Sequence, residues 1–506
     1  MSGPARVLGF TRMSGYGRAL GLVTALGALL RLALLARQPL GYDEDFTAAV
    51  VRLPFGQMLD AVGRDSAPPL FYLLEWPVAQ LLPGPAGLRL VPALAGIALI
   101  PLLATLARRA SGDAAGLWAA AFAAVAPATL ASAENARMYS LAGALVVAAT
   151  LVLWRIVDGT QESADAAAQP SAPRTWIRYA PSGLLAAAAA WTDYFAILAL
   201  AGVLVAAAWL RPPRRVLLSA GAATGLGAAS VGLWLLLAPS QLAHAGQGFW
   251  VPPLSVESAA GTLGQLFAGP PVDSGVPGRE PLLALQIVAI GAGSAALVAA
   301  AAAWRRAPSH FRRGEAFLVL ACSGVLVLAA VSVWRPVLEA RYAAVMWLPL
   351  FALAGAGLAA MPRPPAAVLL AATLAPSLAA GAVATTHPET ASLIPEVESR
   401  LGPHDLVAAD PNHYLLLVAD GSPELRARLH VLAGSEPPWY FGTAAYPAGA
   451  VVASPPSDVV SAGGTIFWIA DPRSAPPALP PGYRASTQRC LIRVCLTIYE
   501  APVTPQ

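Results

Sequence analysis

Long apolar runs dominate the chain, and most charged residues gather between them. A helix of about 20 apolar residues is enough to cross the hydrocarbon of a bilayer. By that measure eleven spans are expected, near residues 18–38, 88–107, 113–131, 137–157, 177–191, 194–210, 216–238, 281–304, 316–334, 342–360 and 366–386. The stretch 68–84 is also apolar, but it is short and carries Glu75 and Pro77, so it is expected to lie in the interface or re-enter rather than cross. After about residue 387 the pattern changes. "DLVAAD", "YLLLVAD", "GTIFWIAD" and "CLIRVCLTIYE" are short apolar or alternating runs punctuated by Pro and Gly, the signature of strands. The expected architecture is an all-α polytopic membrane bundle of about eleven transmembrane helices over residues 1–386, followed by a small extracytoplasmic α/β domain over 387–506.

Composition agrees with a membrane bundle. The 506 residues are 57% hydrophobic and only 12% charged, against about 25% charged in a typical soluble domain. All the basic residues are arginines, and the net charge of +4 is spread along the chain, so no nucleic-acid surface is indicated. The arginines orient the bundle. Eleven spans with a cytoplasmic, uncleaved N-terminal anchor put Arg6, Arg12, Arg18, Arg108, Arg109, Arg174, Arg178, the "RPPRR" at 211–215, the "RRAPSHFRR" at 305–313 and Arg363 on one side. That satisfies the positive-inside rule. The other side receives 39–87, 239–280 and everything after about 387, with Trp191, Trp250, Trp334 and Trp347 near the boundary as an aromatic belt. Three cysteines are too few for a disulfide scaffold or a four-cysteine metal site. Cys490 and Cys495 fall on the outer side, either bonded or as two free thiols. His244 and His387 are the only histidines near the outer face of the membrane region, and one histidine does not make a metal site, so no metal is assigned.

One cluster stands out. Asp43, Glu44 and Asp45 follow directly on the first span, in the first outer loop. A solvated loop end would look the same. However, Asp65, Glu134, Arg137, Asp193 and Arg341 all fall at the same outer depth, and a charge in hydrocarbon costs about 2.5–3.5 kcal/mol. Their convergence on one leaflet boundary points to a site. Glu134 and Arg137 are three residues apart and would pair if that stretch were helical, with Tyr139 pointing away. Glu75 is expected to face either the cavity or water. Arg31, inside the first span, is open to three readings: snorkelling, pairing with an acid, or contacting a ligand.

"YDED" (42–45), "APPLFYLLEWPV" (67–78), "GLRLVPALAG" (87–96), "ENARMYSLAGAL" (134–145) and "ARYAAVMWLPLFALAGAGL" (340–358) together resemble the GT-C glycosyltransferases, in the branch of protein O-mannosyltransferases and aminoarabinose transferases. The resemblance covers roughly residues 20–360. It implies an inverting transfer on the outer face from a polyprenyl-phosphate sugar, with the Asp of the first-loop acidic pair as general base. That maps onto Asp43, with Glu44 beside it. One position departs from the pattern: many relatives carry His where "WTDYFAIL" has Asp193.

The chemistry fits these residue types. Glycosidases use two carboxylates because a sugar oxygen is a poor leaving group. A phosphate leaves as an anion and needs no acid, so one carboxylate base and cations for the departing charge suffice. Arginine presents a planar fork of donors to phosphate. Arg137 and Arg341, then Arg89, are the candidate phosphate ligands, with Tyr342 as a further hydrogen-bond donor; Asp65, Glu134 and Asp193 would line the site. The segment 68–84 is expected to wall a lipid groove, and the long loop 247–275 to gate it. Mannose is the default sugar. The acceptor is a glycan, glycolipid or protein, and no cofactor beyond the lipid-linked donor is implied. The competing readings are another lipid-linked sugar enzyme (arabinofuranosyltransferase, polymerase or ligase) and a transporter or flippase.

Overall fold

The computed structural model describes residues 15–36, 40–165, 177–244, 250–270, 279–306, 308–382, 388–433, 435–475, 478–491 and 493–502. Arg6, Arg12, Arg174, His387 and both ends of the loop 247–275 lie outside them. The described chain begins with α1 (Gly15–Leu34), followed by four short helices, α2 (Tyr42–Val51), α3 (Phe55–Arg64), α4 (Leu70–Leu81) and α5 (Pro85–Leu88). The bundle then continues through α6 (Leu90–Val125), α7 (Pro127–Ala133), α8 (Tyr139–Asp165), α9 (Ala180–Thr192), α10 (Ala196–Trp209), α11 (Arg214–Ala229) and α12 (Gly232–Leu237). After α13 (Pro239–His244) and α14 (Val256–Ala268) come four long helices, α15 (Arg279–Arg306), α16 (Pro308–Ser332), α17 (Ala340–Ala359) and α18 (Arg363–Ala382). Among the described residues, seven helical stretches are long and apolar enough to cross a membrane. The chain is a multi-pass membrane protein.

Helix α6 shows how the expected spans are realised. Its 36 residues would reach about 54 Å if straight, nearly twice the hydrocarbon thickness. They do not run straight. Gly112 sits at φ 85°, a conformation that favours glycine, and the chain folds back there. A Cβ on Gly116 would stand 2.9 Å from the Ala104 carbonyl oxygen, and Ile100, Ala104, Ala120 and Ala124 pack together against Leu20 and Val23 of α1. The two arms are the spans expected at 88–107 and 113–131.

The second arm breaks again at Pro127. Proline has no N–H, so the Ala123 carbonyl loses its helical partner. Thr129 Oγ1 donates to that oxygen at 2.7 Å and Arg31 Nη2 at 2.9 Å, while Arg31 Nη1 donates to Ala124 O and Gly27 O, both at 3.0 Å. Arg31 is fully buried. It caps a helix break from the neighbouring span, and that answers the three-way question the sequence left open.

The two ends of the bundle differ in charge. At one end Arg313 donates to the Arg109 carbonyl at 2.7 Å, Asp158 bridges Arg109 and Arg313 at 3.6 and 3.4 Å, and Arg108 lies 4.3 Å over the Tyr16 ring. The opposite end carries α2 to α5, α13 and the C-terminal residues. Helix α4 has 12 residues, a length of about 18 Å, too short to cross. The belt expectation fails at Trp347, which is buried in the core, whereas Trp334 is largely exposed.

Residues 388–502 form a six-stranded sheet in the order β3-β2-β1-β4-β6-β5. They comprise α19 (Pro388–Arg400), β1 (Leu406–Ala409), α20 (Pro411–Asp420), β2 (Leu429–Leu432), β3 (Val451–Val452), β4 (Ile466–Ala470), β5 (Arg484–Cys490) and β6 (Cys495–Glu500). Strands β3, β2, β1 and β4 are parallel; β6 and β5 add antiparallel. Cys490 and Cys495 face each other across β5 and β6 and are disulfide-bonded. The sheet unit rests on α2. Arg52 Nη1 donates to Val418 O at 2.8 Å, and Trp439 stacks on His244 with ring centroids 4.8 Å apart.

Candidate active site

Helix α2 places the acidic cluster. Gly41 caps it in extended backbone, and Glu44 reaches back so that its Oε2 accepts the Gly41 N–H at 2.8 Å. Three carboxylates in a first turn suit the positive end of the helix dipole. Successive helical residues point about 100° apart, so the three neighbours meet three different surroundings.

Asp43 forms an ion pair with Arg341 from the first turn of α17, and each side chain is about a third exposed, 33% and 32%. Arg341 also lies 4.6 Å over the Trp250 ring, a cation–π contact that holds the guanidinium in place. It lines a cavity of about 460 Å³ together with Asn135, Tyr139, Gln265, Glu339 and Trp347.

Glu44 turns inward. Arg89 Nε donates to its Oε1 at 2.7 Å and Arg89 Nη2 to its Oε2 at 2.6 Å, and the Ala136 N–H donates to Oε1 at 2.8 Å. Arg89 Nη1 donates onward to Leu35 O at 2.9 Å. Both side chains are buried. Neither is among the residues that line the cavity; Glu44 and Arg89 are engaged with each other. Asp45 turns toward the sheet unit. It is buried, and neither carboxylate oxygen is hydrogen-bonded among the described residues. Burial, with Asp420 and Glu44 nearby, pushes its pKa well above the ordinary aspartate range.

Arg137 occupies a second buried polar cluster. Its Nη1 donates to the Tyr72 hydroxyl at 3.1 Å, and its charge is felt by Asp65 and Asp193. The expected Glu134–Arg137 pair does not form. Helix α7 ends at Ala133, so residues 134–138 are non-helical and the i, i+3 geometry is lost. Glu134 instead stands near Arg31 and Arg89, and burial raises its pKa to about 7. Tyr139, expected to point away from Arg137, interacts with it and also lines the cavity. Asp193 ends α9; its Oδ1 accepts the Phe195 N–H at 2.9 Å, and burial lifts its pKa to about 6. Tyr342 stacks on Phe195 at 4.5 Å. Asp65 is buried, its carbonyl 3.3 Å from His244 Nδ1. Glu75 faces neither cavity nor water: it is fully buried, its carboxylate has no hydrogen-bond partner among the described residues, and burial raises its pKa to about 8.

The supports of α2 come from three directions. Trp76 and Gln80 of α4 donate to Leu53 O at 3.0 Å and Val51 O at 2.8 Å. Arg89 holds the first turn, and the sheet unit covers the remaining face. Ser255 caps α14, whose Gln265 and Leu266 line the cavity wall. The sequence reading missed Glu339, Asn135 and Trp347 as cavity residues. Glu339 stands two positions before Arg341, and that proximity was the one available signal.

No protein-family model and no curated protein matches the sequence. Solved structures do. ArnT from Cupriavidus metallidurans in the apo state superposes with a TM-score of 0.62 at 14% identity, covering 96% of this chain and 98% of that one. The same protein bound to undecaprenyl phosphate gives 0.59 at 16% identity, with 96% and 98% covered. The oligosaccharyltransferase of Archaeoglobus fulgidus gives 0.51 at 11% identity, covering 81% of this chain and 65% of that one. The chain therefore has the GT-C fold that its motifs resemble, over nearly its whole length and in the form seen in ArnT.

Proposed function

We propose that this protein is an integral-membrane inverting glycosyltransferase that moves a sugar from a polyprenyl-phosphate donor to an acceptor hydroxyl. The observation that carries the proposal is the Asp43–Arg341 pair beside a cavity, in a fold shared with a protein solved with undecaprenyl phosphate. The end of the bundle that bears α2 is the outer face, the arginine-rich end is cytoplasmic, and the sheet unit is extracytoplasmic.

Asp43 is the base. Glu44 has its oxygens occupied by four donors, whereas Asp43 pairs with Arg341 alone among the described residues and is partly exposed. The donor phosphate competes for Arg341, and its arrival releases Asp43. The acceptor oxygen then attacks the anomeric carbon from the face opposite the phosphate. The bond from that carbon to the phosphate oxygen breaks, the configuration inverts, and the acceptor proton passes to Asp43. The phosphate departs as a dianion, stabilised by Arg341 and by Arg137, whose Nε has no hydrogen-bond partner among the described residues. Such fixed donors act most strongly where water is excluded. Glu44 and Arg89 set the pose of the helix that carries Asp43.

The test is transfer by the purified protein in lipid nanodiscs, supplied with polyprenyl-phosphate mannose and, in parallel, the arabinofuranose donor, against peptide, glycolipid and glycan acceptors. Transfer that collapses in Asp43→Asn supports the proposal. Absence of transfer from every lipid-linked donor overturns it, and undiminished transfer by Asp43→Asn overturns the assignment of the base.

A further inference from the structure

The cavity beside Arg341 contains polar groups that the proposed reaction leaves unused. Ser140, in the first turn of α8, is 2% exposed, lines the cavity, and its Oγ has no hydrogen-bond partner among the described residues. Asn135 lines the same space with a buried Oδ1 that is also unpartnered. Glu339, at the start of α17, brings a carboxylate to the wall. Burial raises its pKa. Tyr139 and Trp347 add aromatic surface.

A carboxylate on the wall of a largely apolar cavity, with an amide and a hydroxyl residue beside it, suits a ligand that brings hydrogen-bond donors. A polyprenyl chain has none to offer. Its phosphate needs cations, and a carboxylate and an amide oxygen are acceptors instead. The part of the donor that matches is the sugar ring, whose hydroxyls donate to carboxylate and amide oxygens and whose apolar face lies on aromatic rings. Building on the glycosyltransferase reading above, we propose that Glu339 is a specificity-determining residue that binds O–H or N–H substituents of the transferred sugar, with Ser140 and Asn135 completing the set. The donor is then a neutral or amino sugar. A uronic acid is rejected, because its carboxylate would face that of Glu339.

The experiment measures binding as well as transfer, using quenching of tryptophan emission, since Trp250 and Trp347 both line the cavity. Full-length protein in nanodiscs is titrated with undecaprenyl phosphate and with its mannosyl, arabinosyl, 4-amino-arabinosyl and glucuronosyl derivatives. Glu339→Ala is expected to weaken binding of the preferred sugar-lipid, and raise its KM, by about tenfold or more, while the bare lipid phosphate binds as before. Ser140→Ala is expected to act in the same direction by about threefold, and it serves if Glu339→Ala does not fold. Glu339→Gln separates the two chemistries: it keeps most of the affinity where a hydroxyl is read and loses it, as Glu339→Ala does, where an ammonium is read. Equal loss for bare and sugar-bearing lipid, unchanged KM in both alanine variants, or preference for the glucuronosyl lipid overturns the inference while leaving a transferring enzyme in place. Failure of the wild type to bind or transfer from any sugar-lipid overturns both proposals.

Discussion

Two carboxylate–arginine pairs start from adjacent residues of one helix, and they have opposite characters. Glu44–Arg89 is buried, doubly hydrogen-bonded, and closed off by Gly41, Ala136 and Leu35. Asp43–Arg341 is a third exposed, and its arginine lines a cavity. A buried pair is costly to assemble and costlier to break, because removing one partner strands a charge in low dielectric. An exposed pair is held loosely and exchanges partners at little cost. The first arrangement suits a clamp and the second suits a reaction, although the residue types are the same.

That contrast is broken most severely at Asp43. Asp43→Asn is expected to lower transfer by about 10²- to 10⁴-fold, the usual contribution of a positioned base, with no change in the thermal midpoint in detergent. A fall in both would make Asp43 part of the clamp. Next in size is Glu44→Ala, which strips the buried Arg89 of its carboxylate and is expected to cost about 3–5 kcal/mol of stability, seen as a lower melting midpoint and poor recovery. Arg341→Ala is the counterpart: stability changes by about 1 kcal/mol at most while transfer collapses. Equal melting losses at Glu44 and Arg341 would erase the distinction.

Smaller effects come from the face of α2 that meets the sheet unit. Gly442 lies at φ 70°, and a Cβ there would stand 2.7 Å from Leu415 Cδ1 and 2.9 Å from Phe46 Cδ2. Gly442→Ala is expected to cost about 1–3 kcal/mol, visible as faster hydrogen exchange in α2 and α20. The mildest test concerns Asp45. Its raised pKa means that the docked state holds a proton the free state releases. Docking is then strongest below the ordinary aspartate pKa of about 3.9 and weakens as the pH rises toward the raised value. Asp45→Asn is expected to abolish that slope in exchange protection of α20; an unchanged slope would assign it to Asp420, whose pKa burial also raises.

Much of the fold was legible because bilayer thickness is a length rule. The hairpin at Gly112 follows from two apolar runs separated by Arg108 and Arg109, and the short α4 from its interrupting Pro and Glu. The site was legible in part. The meeting of Asp43 and Arg341, 298 positions apart, was anticipated because charges at one depth of an apolar bundle have few places to go. The Glu134–Arg137 pair failed because it assumed a helix that ends at Ala133. Glu75 failed because hydropathy alone does not say which way one residue of a short helix points.

The sequence by itself determined that the chain crosses a membrane many times, that its charges fall at the ends of the spans, and that an acidic turn opens the first outer segment. These are one-dimensional properties, set by the free energy of moving apolar and charged groups between water and hydrocarbon. Only the tertiary structure decided which of three adjacent carboxylates pairs with Arg341, which pairs with Arg89 and which faces the sheet unit. Their directions around α2 depend on what packs against each side, and that is settled by helices and strands far away in the chain.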